Sequence, residues 1–146
     1  MKQLTALLFG IVTLLLSSHA HTANLNAPAA NPNDYALVFF FRSDCPFCHK
    51  FAPKLKQFAA QTGTYTYAFS LDNQGIAGFE VPIPSTPDIA SMFFENPRSV
   101  TVPATFLINV NTRKFVRLTV GDVTTAQLQQ SYLQSLNDPQ VIDSMR

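Results

Sequence analysis

The stretch from Tyr35 to Phe51 constrains this chain most. A nearly unbroken apolar and aromatic run, Tyr35 to Arg42, passes through a short polar turn into Cys45-Pro46-Phe47-Cys48-His49 and then an amphipathic pattern. The run has the composition of a strand covered on both faces, in the middle of a sheet. Pro46 suits a first helical position, where its missing N–H costs nothing and its fixed φ is already helical. With Cys45 as the cap, its sulfur faces the free N–H groups of Phe47 and Cys48 and the positive end of the helix dipole, which favour thiolate. Cysteines at i and i+3 of a first helical turn lie close enough for a disulfide.

These are the only two cysteines in the sequence. The leading reading is a redox pair in which an exposed Cys45 attacks and a more buried Cys48 resolves. On an ideal wheel Phe47, Phe51, Leu55, Phe58 and Ala59 form the apolar face, with Cys48 inside the arc and Cys45 at its edge. A zinc half-site and two unrelated cysteines compete with this. Structural zinc wants four Cys or His ligands, and beyond the N-terminal segment His49 is the one other soft candidate. A soft-metal chaperone holding Cu(I) between the two thiolates, with or without His49, remains an alternative. So does a non-catalytic client-binding domain built on the loop around Phe79 to Pro84. The leading reading assigns no cofactor and no metal ligands.

Residues 1–20 read as a signal peptide: a basic Lys2, an apolar Leu4 to Leu16 too short to span a membrane, and small residues at Ser18-His19-Ala20 for cleavage, with Ala23 a second site. An uncleaved anchor is the alternative. Cleavage implies a periplasmic protein without stable membrane insertion, in a compartment where disulfides form and persist. Ten basic residues less Lys2 leaves nine, against nine acidic ones. That balance excludes the strong positive bias of a nucleic-acid binder. Residues 21–34, rich in Ala, Asn and Pro, read as a flexible tether, and 138–146 as a C-terminal tail.

Between them a helix from Pro46 to about Gln61 contains Pro53, and Thr64 to Leu71 alternates like a strand, with Tyr65, Tyr67, Phe69 and Leu71 on one side. Asp72 to Ser85 reads as an irregular loop. Thr86-Pro87-Asp88 opens a helix burying Ile89, Phe93 and Met92. Ala104 to Val110 and Lys114 to Val120 form a hairpin, and Thr124 with Gln127 caps a last helix carrying Leu128, Tyr132 and Leu136.

The order strand, Cys-x-x-Cys helix, strand, helix, strand, strand, helix resembles the thioredoxin fold, an α/β domain over 35–137 with a central mixed sheet flanked by helices. Three details carry the resemblance: the aromatic run before Cys45, Pro53 five residues past Cys48, and Thr101-Val102-Pro103 opening a strand like the family's cis-proline loop. The resemblance implies that Val102 and Pro103 bind an extended client beside Cys45, by strand addition. Pro46 and Phe47 between the cysteines, His49 beside them and nearby Lys50 are expected to modulate the dithiol by stabilising thiolate. Phe39 stands where thioredoxin has a buried acid, so proton transfer to Cys48 needs another base or water. The exported, minimal form with Cys-Pro-Phe-Cys-His is similar to the thiol-disulfide isomerases of F-type conjugative transfer systems, the TrbB family. That likeness implies action on disulfides of exported clients, conjugative transfer proteins among them, and a membrane redox partner that keeps the dithiol reduced; a monomer is expected because no segment is large enough for a separate dimerisation domain.

Overall fold

The structure, a computed structural model, describes residues 31–146. The signal-peptide reading and the tether up to residue 30 lie outside the described residues. A short 3-10 turn at Pro32–Asp34 leads into β1 (Tyr35–Phe41), α1 (Pro46–Thr62), β2 (Thr66–Ser70), β3 (Ile83–Pro84), α2 (Pro87–Phe93), β4 (Ala104–Asn109), β5 (Phe115–Val120), α3 (Thr125–Asn137) and α4 (Pro139–Ser144). The strands form one sheet in the order β3-β2-β1-β4-β5. β1 runs parallel to β2 and antiparallel to β4, so α1 is the crossover between parallel neighbours. Among the described residues no helix is long and apolar enough to cross a membrane.

All seven residues of β1 are buried, as its unbroken apolar run requires. Leu37, Phe39 and Phe41 face one core with Phe51, Leu55 and Phe58 of α1 and Leu128 and Tyr132 of α3. Val38 and Phe40 face a second, smaller core with Ala104 and Phe106, closed by Ile89, Phe93 and Phe94. Pro53 sits within α1, which continues to Thr62 and ends at Gly63, whose φ of 67° is left-handed. The Thr124–Gln127 capping box forms as its residues dictate, with Thr124 Oγ1 accepting from the Gln127 N–H at 3.2 Å and Gln127 Oε1 accepting from the Thr124 N–H at 2.9 Å.

The structure assigns the inward face of β2, which the alternation left open, and corrects three expectations. In β2 the buried side chains are the small Ala68 and Ser70, while Tyr67, and Tyr65 just before the strand, are exposed. Ala68 packs into the core with Phe51, Leu55 and Phe58 of α1, whereas Phe69 and Leu71 reach the core closed by Ile89 and Phe93 of α2. Met92 lies on the exposed side of α2. The loop from Asp72 to Ser85 contains the edge strand β3 and an Ile76–Phe79 bridge. It sends Ile76 into the core and packs half-buried Phe79 with its ring tilted, 5.2 Å from the Phe39 ring, while Val81 and Ile83 of the same loop stay exposed. Finally, 138–146 is no tail. Asp138 caps α4 by accepting from the Gln140 N–H, Pro139 takes the first position, and Ile142 and Met145 are buried in the α1-side core. Two apolar residues three apart set no visible periodicity, which is why the pattern missed them.

Candidate active site

The dithiol sits where β1 hands over to α1. Cys45 is the N-cap, with extended backbone (φ −91°, ψ 108°), and its Sγ accepts from the Cys48 N–H at 3.1 Å. The two cysteines are disulfide-bonded, with Cα atoms 5.2 Å apart. Their surroundings differ sharply. Cys45 is half-buried, while Cys48 is fully buried in the cluster that contains Phe39, Phe41 and Phe51. The position expected to lack an acid is filled by the Phe39 ring, 5.2 Å from Phe41 and 5.8 Å from Phe51. β1 therefore supplies Cys48 with aromatic surroundings and no carboxylate, an environment that disfavours its thiolate.

The Val102–Pro103 peptide bond is cis. The Val102 carbonyl oxygen lies 3.7 Å from Cys45 Sγ, so the reduced thiol can donate to it. Pro103 is buried and Val102 half-buried, packed against both cores. Pro46 is exposed at the first position of α1. Phe47 departs from expectation: it is 58% exposed. The arc that α1 buries is centred on Leu55 and extends to Ala52, which leaves Phe47 just past its edge, with Lys50 Nζ 5.7 Å from its ring centre.

His49 is exposed, and its Nε2 lies 2.6 Å from the Ser43 carbonyl oxygen. A carbonyl only accepts, so Nε2 is the donor in this contact. Among the described residues no group of three or more His, Cys, Asp or Glu is placed to hold a metal ion.

One residue escaped the sequence reading. Asp72, just after β2, accepts from the Ser43 N–H at 2.9 Å, Ser43 Oγ at 2.8 Å, Ser70 Oγ at 2.7 Å and the Gln74 N–H at 3.3 Å. Its signal was an acid in a turn, and only the parallel pairing of Phe41 with Ser70 brings that turn beside Ser43. Burial is the largest single influence on this carboxyl and pushes it up. The hydrogen bonds from Ser70, Ser43 and Gln74 together outweigh it and hold the group down to about 2. Because the folded-state value is depressed, the stability it contributes is complete above about pH 4, where the unfolded chain is also ionised. It is lost as pH falls through about 2. Asp72→Asn will therefore flatten the acid limb of the unfolding curve in that window, measured by circular dichroism against pH.

Arg42 and Asp44 pair at 2.9 Å on the exposed face of the same turn, and the hydrogen bond between them raises the first and lowers the second. Beside the turn opens a cleft of about 560 Å³, walled by Arg42, Leu71, Ala90, Arg98 and Val100 among others.

This is a thioredoxin-fold protein with a Cys-x-x-Cys disulfide capping its long first helix and a cis-proline loop against the outer sulfur. The family model described as "TraF: F plasmid transfer operon protein" matches residues 18–133, and the chain belongs to that family. It is similar to Protein TrbB of Escherichia coli (strain K12), with 40% identity over 101 residues. The match takes in 69% of this chain and 55% of that protein, so the chain spans about half the relative's length. Among solved structures it resembles MTB dsbF in mixed oxidized and reduced forms, with a TM-score of 0.52, 17% identity, and 70% of this chain and 81% of that one covered. It also resembles the thioredoxin domain of a thiol-disulfide oxidoreductase from Bacteroides vulgatus, with a TM-score of 0.50, 18% identity, and coverage of 72% and 81%. At those identities the likeness speaks for the fold.

Proposed function

We propose that this protein is an exported, periplasmic thiol-disulfide oxidoreductase of the isomerase type, acting on disulfides of exported proteins, conjugative transfer proteins among them. The observation that carries this reading is the asymmetry of the two sulfurs. Cys45 is accessible and takes an N–H of the helix start, while Cys48 is sealed among phenylalanines. Such a pair separates an attacking thiolate from a resolving thiol.

The Cys45 thiolate attacks one sulfur of a client disulfide, forming a Cys45–client mixed disulfide and releasing the other client sulfur as thiolate. Two exits follow. In the first, Cys48 loses its proton and attacks the Cys45 sulfur, closing the Cys45–Cys48 disulfide and releasing a fully reduced client, a transfer of two electrons. In the second, a client thiolate attacks the mixed disulfide, and Cys45 leaves as thiolate beside a rearranged client with no net redox change. The first exit consumes the dithiol, so sustained turnover needs a dithiol reductant, read here as a membrane electron carrier. Val102, with its carbonyl turned to Cys45, Pro103 and the cleft walled by Arg42 and Val100 are the proposed client-binding surface. Pro46, Phe47 and His49 are the proposed modulators, and the working form is a monomer.

The test pairs the reduction potential with reactivation of scrambled ribonuclease. The expected result is a potential well below the strongly oxidising value of about −120 mV, together with reactivation. A potential near that value with no reactivation would make the protein an oxidase.

A further inference from the structure

We propose that Asp72 is a positioning residue for the dithiol: through Ser43 it fixes the turn from which Cys45 projects, and so sets the balance between disulfide and dithiol. This rests on the redox reading of Cys45 and Cys48. Every polar group of Ser43 is engaged. Its N–H and O–H both go to Asp72 Oδ2, at 2.9 and 2.8 Å, and its carbonyl accepts from His49 Nε2 at 2.6 Å. Asp72 is itself immobilised. Its Oδ1 takes the hydroxyl of fully buried Ser70 and the N–H of Gln74, and the Leu71 N–H ties the same segment to the Phe41 carbonyl at 2.9 Å. The turn closes with the Cys45 N–H on the Arg42 carbonyl at 3.3 Å. Two residues beyond Ser43, Cys45 holds the extended backbone that lets its sulfur meet the Cys48 N–H.

The sign of the effect follows from which form depends on the turn. In the disulfide the S–S bond itself holds Cys45 over the helix start. In the dithiol that tether is gone, and the turn shares with the first helical bonds, from the Cys48 and His49 N–H groups to the Cys45 carbonyl at 3.0 and 3.2 Å, the task of keeping the thiolate against the Cys48 N–H, a charge-assisted hydrogen bond. Loosening the turn therefore penalises the dithiol more than the disulfide. The negative charge of Asp72 acts the other way, since it disfavours a nearby thiolate. Asn at this position keeps an oxygen for both Ser43 donors. Ser70 can then accept from the Asn amide while its own proton goes to the Gln74 carbonyl, already 2.8 Å away.

The experiment equilibrates the mature protein with glutathione, where protein disulfide and two glutathione thiols exchange with protein dithiol and oxidised glutathione. The Asp72→Ala, Asp72→Asn and Ser43→Ala variants are compared with wild type. Asp72→Ala is expected to shift the equilibrium at least about tenfold towards the protein disulfide, which is about 30 mV for this two-electron couple. Ser43→Ala, which loses only the hydroxyl bond, should shift it the same way by a smaller factor, and it serves should Asp72→Ala not fold. Asp72→Asn should stay at the wild-type value or move towards dithiol. Variants that melt earlier with an unmoved equilibrium would reduce Asp72 to a structural residue and overturn the proposal. A shift of both Asp72 variants towards dithiol would replace positioning with a charge effect and overturn it equally. A wild-type protein that never equilibrates with glutathione would overturn the redox reading along with this one, whereas normal wild-type behaviour with inert variants strikes this one alone.

Discussion

Cys45→Ala will lower the rate of client-disulfide reduction by on the order of a thousandfold or more, the scale of loss seen when an enzyme's only nucleophile is removed. The remaining sulfur cannot take over. Cys48 has no exposed surface and sits among Phe39, Phe41 and Phe51, so it is both hard to reach and slow to ionise. The reciprocal variant behaves differently. Cys48→Ala leaves Cys45 at the helix start, where it still attacks, but the internal exit from the mixed disulfide is gone, and covalent client adducts accumulate. Non-reducing electrophoresis with an insulin or scrambled-ribonuclease client reads both outcomes. Equal residual rates in the two variants would mean that the sulfurs are interchangeable and that the burial asymmetry has no chemical consequence.

Phe40→Ala will destabilise the fold by about 3–5 kcal/mol, the range for removing a fully buried aromatic ring. Its ring centre lies 5.2 Å from that of Phe69, 5.1 Å from Phe93, 4.9 Å from Phe94 and 6.0 Å from Phe106. This one side chain therefore joins β2, α2 and β4 under the smaller core. Domain stabilities are about 5–15 kcal/mol, so the variant will sit close to unfolding. A shift in the urea midpoint at unchanged slope measures the loss. Val102 packs against the same cluster, so the loop facing Cys45 will loosen before the chain unfolds, seen as faster hydrogen exchange around residues 100–103. Phe47→Ala is the control. Exposed and outside both cores, it should change stability by no more than about 0.5 kcal/mol.

The fold was legible because its strongest elements are local patterns. The all-apolar run at Tyr35–Phe41 had to be a central strand, and it pairs on both sides with β2 and β4. The helix starts at Cys45-Pro46, Thr86-Pro87 and Thr124 are written in cap chemistry, which depends on neighbours one to three residues away. The dithiol was legible for the same reason, since two cysteines a single turn apart need nothing distant to meet.

What the sequence could not decide is everything that depends on who lies opposite. β2 alternates clearly, yet which of its faces meets the larger core was settled by the side of the sheet on which α1 packs. Phe47 stands one position outside a buried arc whose centre is set by how α1 docks on the sheet. Ile142 and Met145 became core because α4 packs where the α1-side cluster has room for them. Asp72 joined the site because a parallel strand pair sets its turn 29 residues away beside Ser43. Periodicity and capping are properties of neighbours along the chain, so sequence alone determined the elements and the reactive pair. Facing, docking and long-range hydrogen bonds are properties of neighbours in space, and only the tertiary structure could assign them.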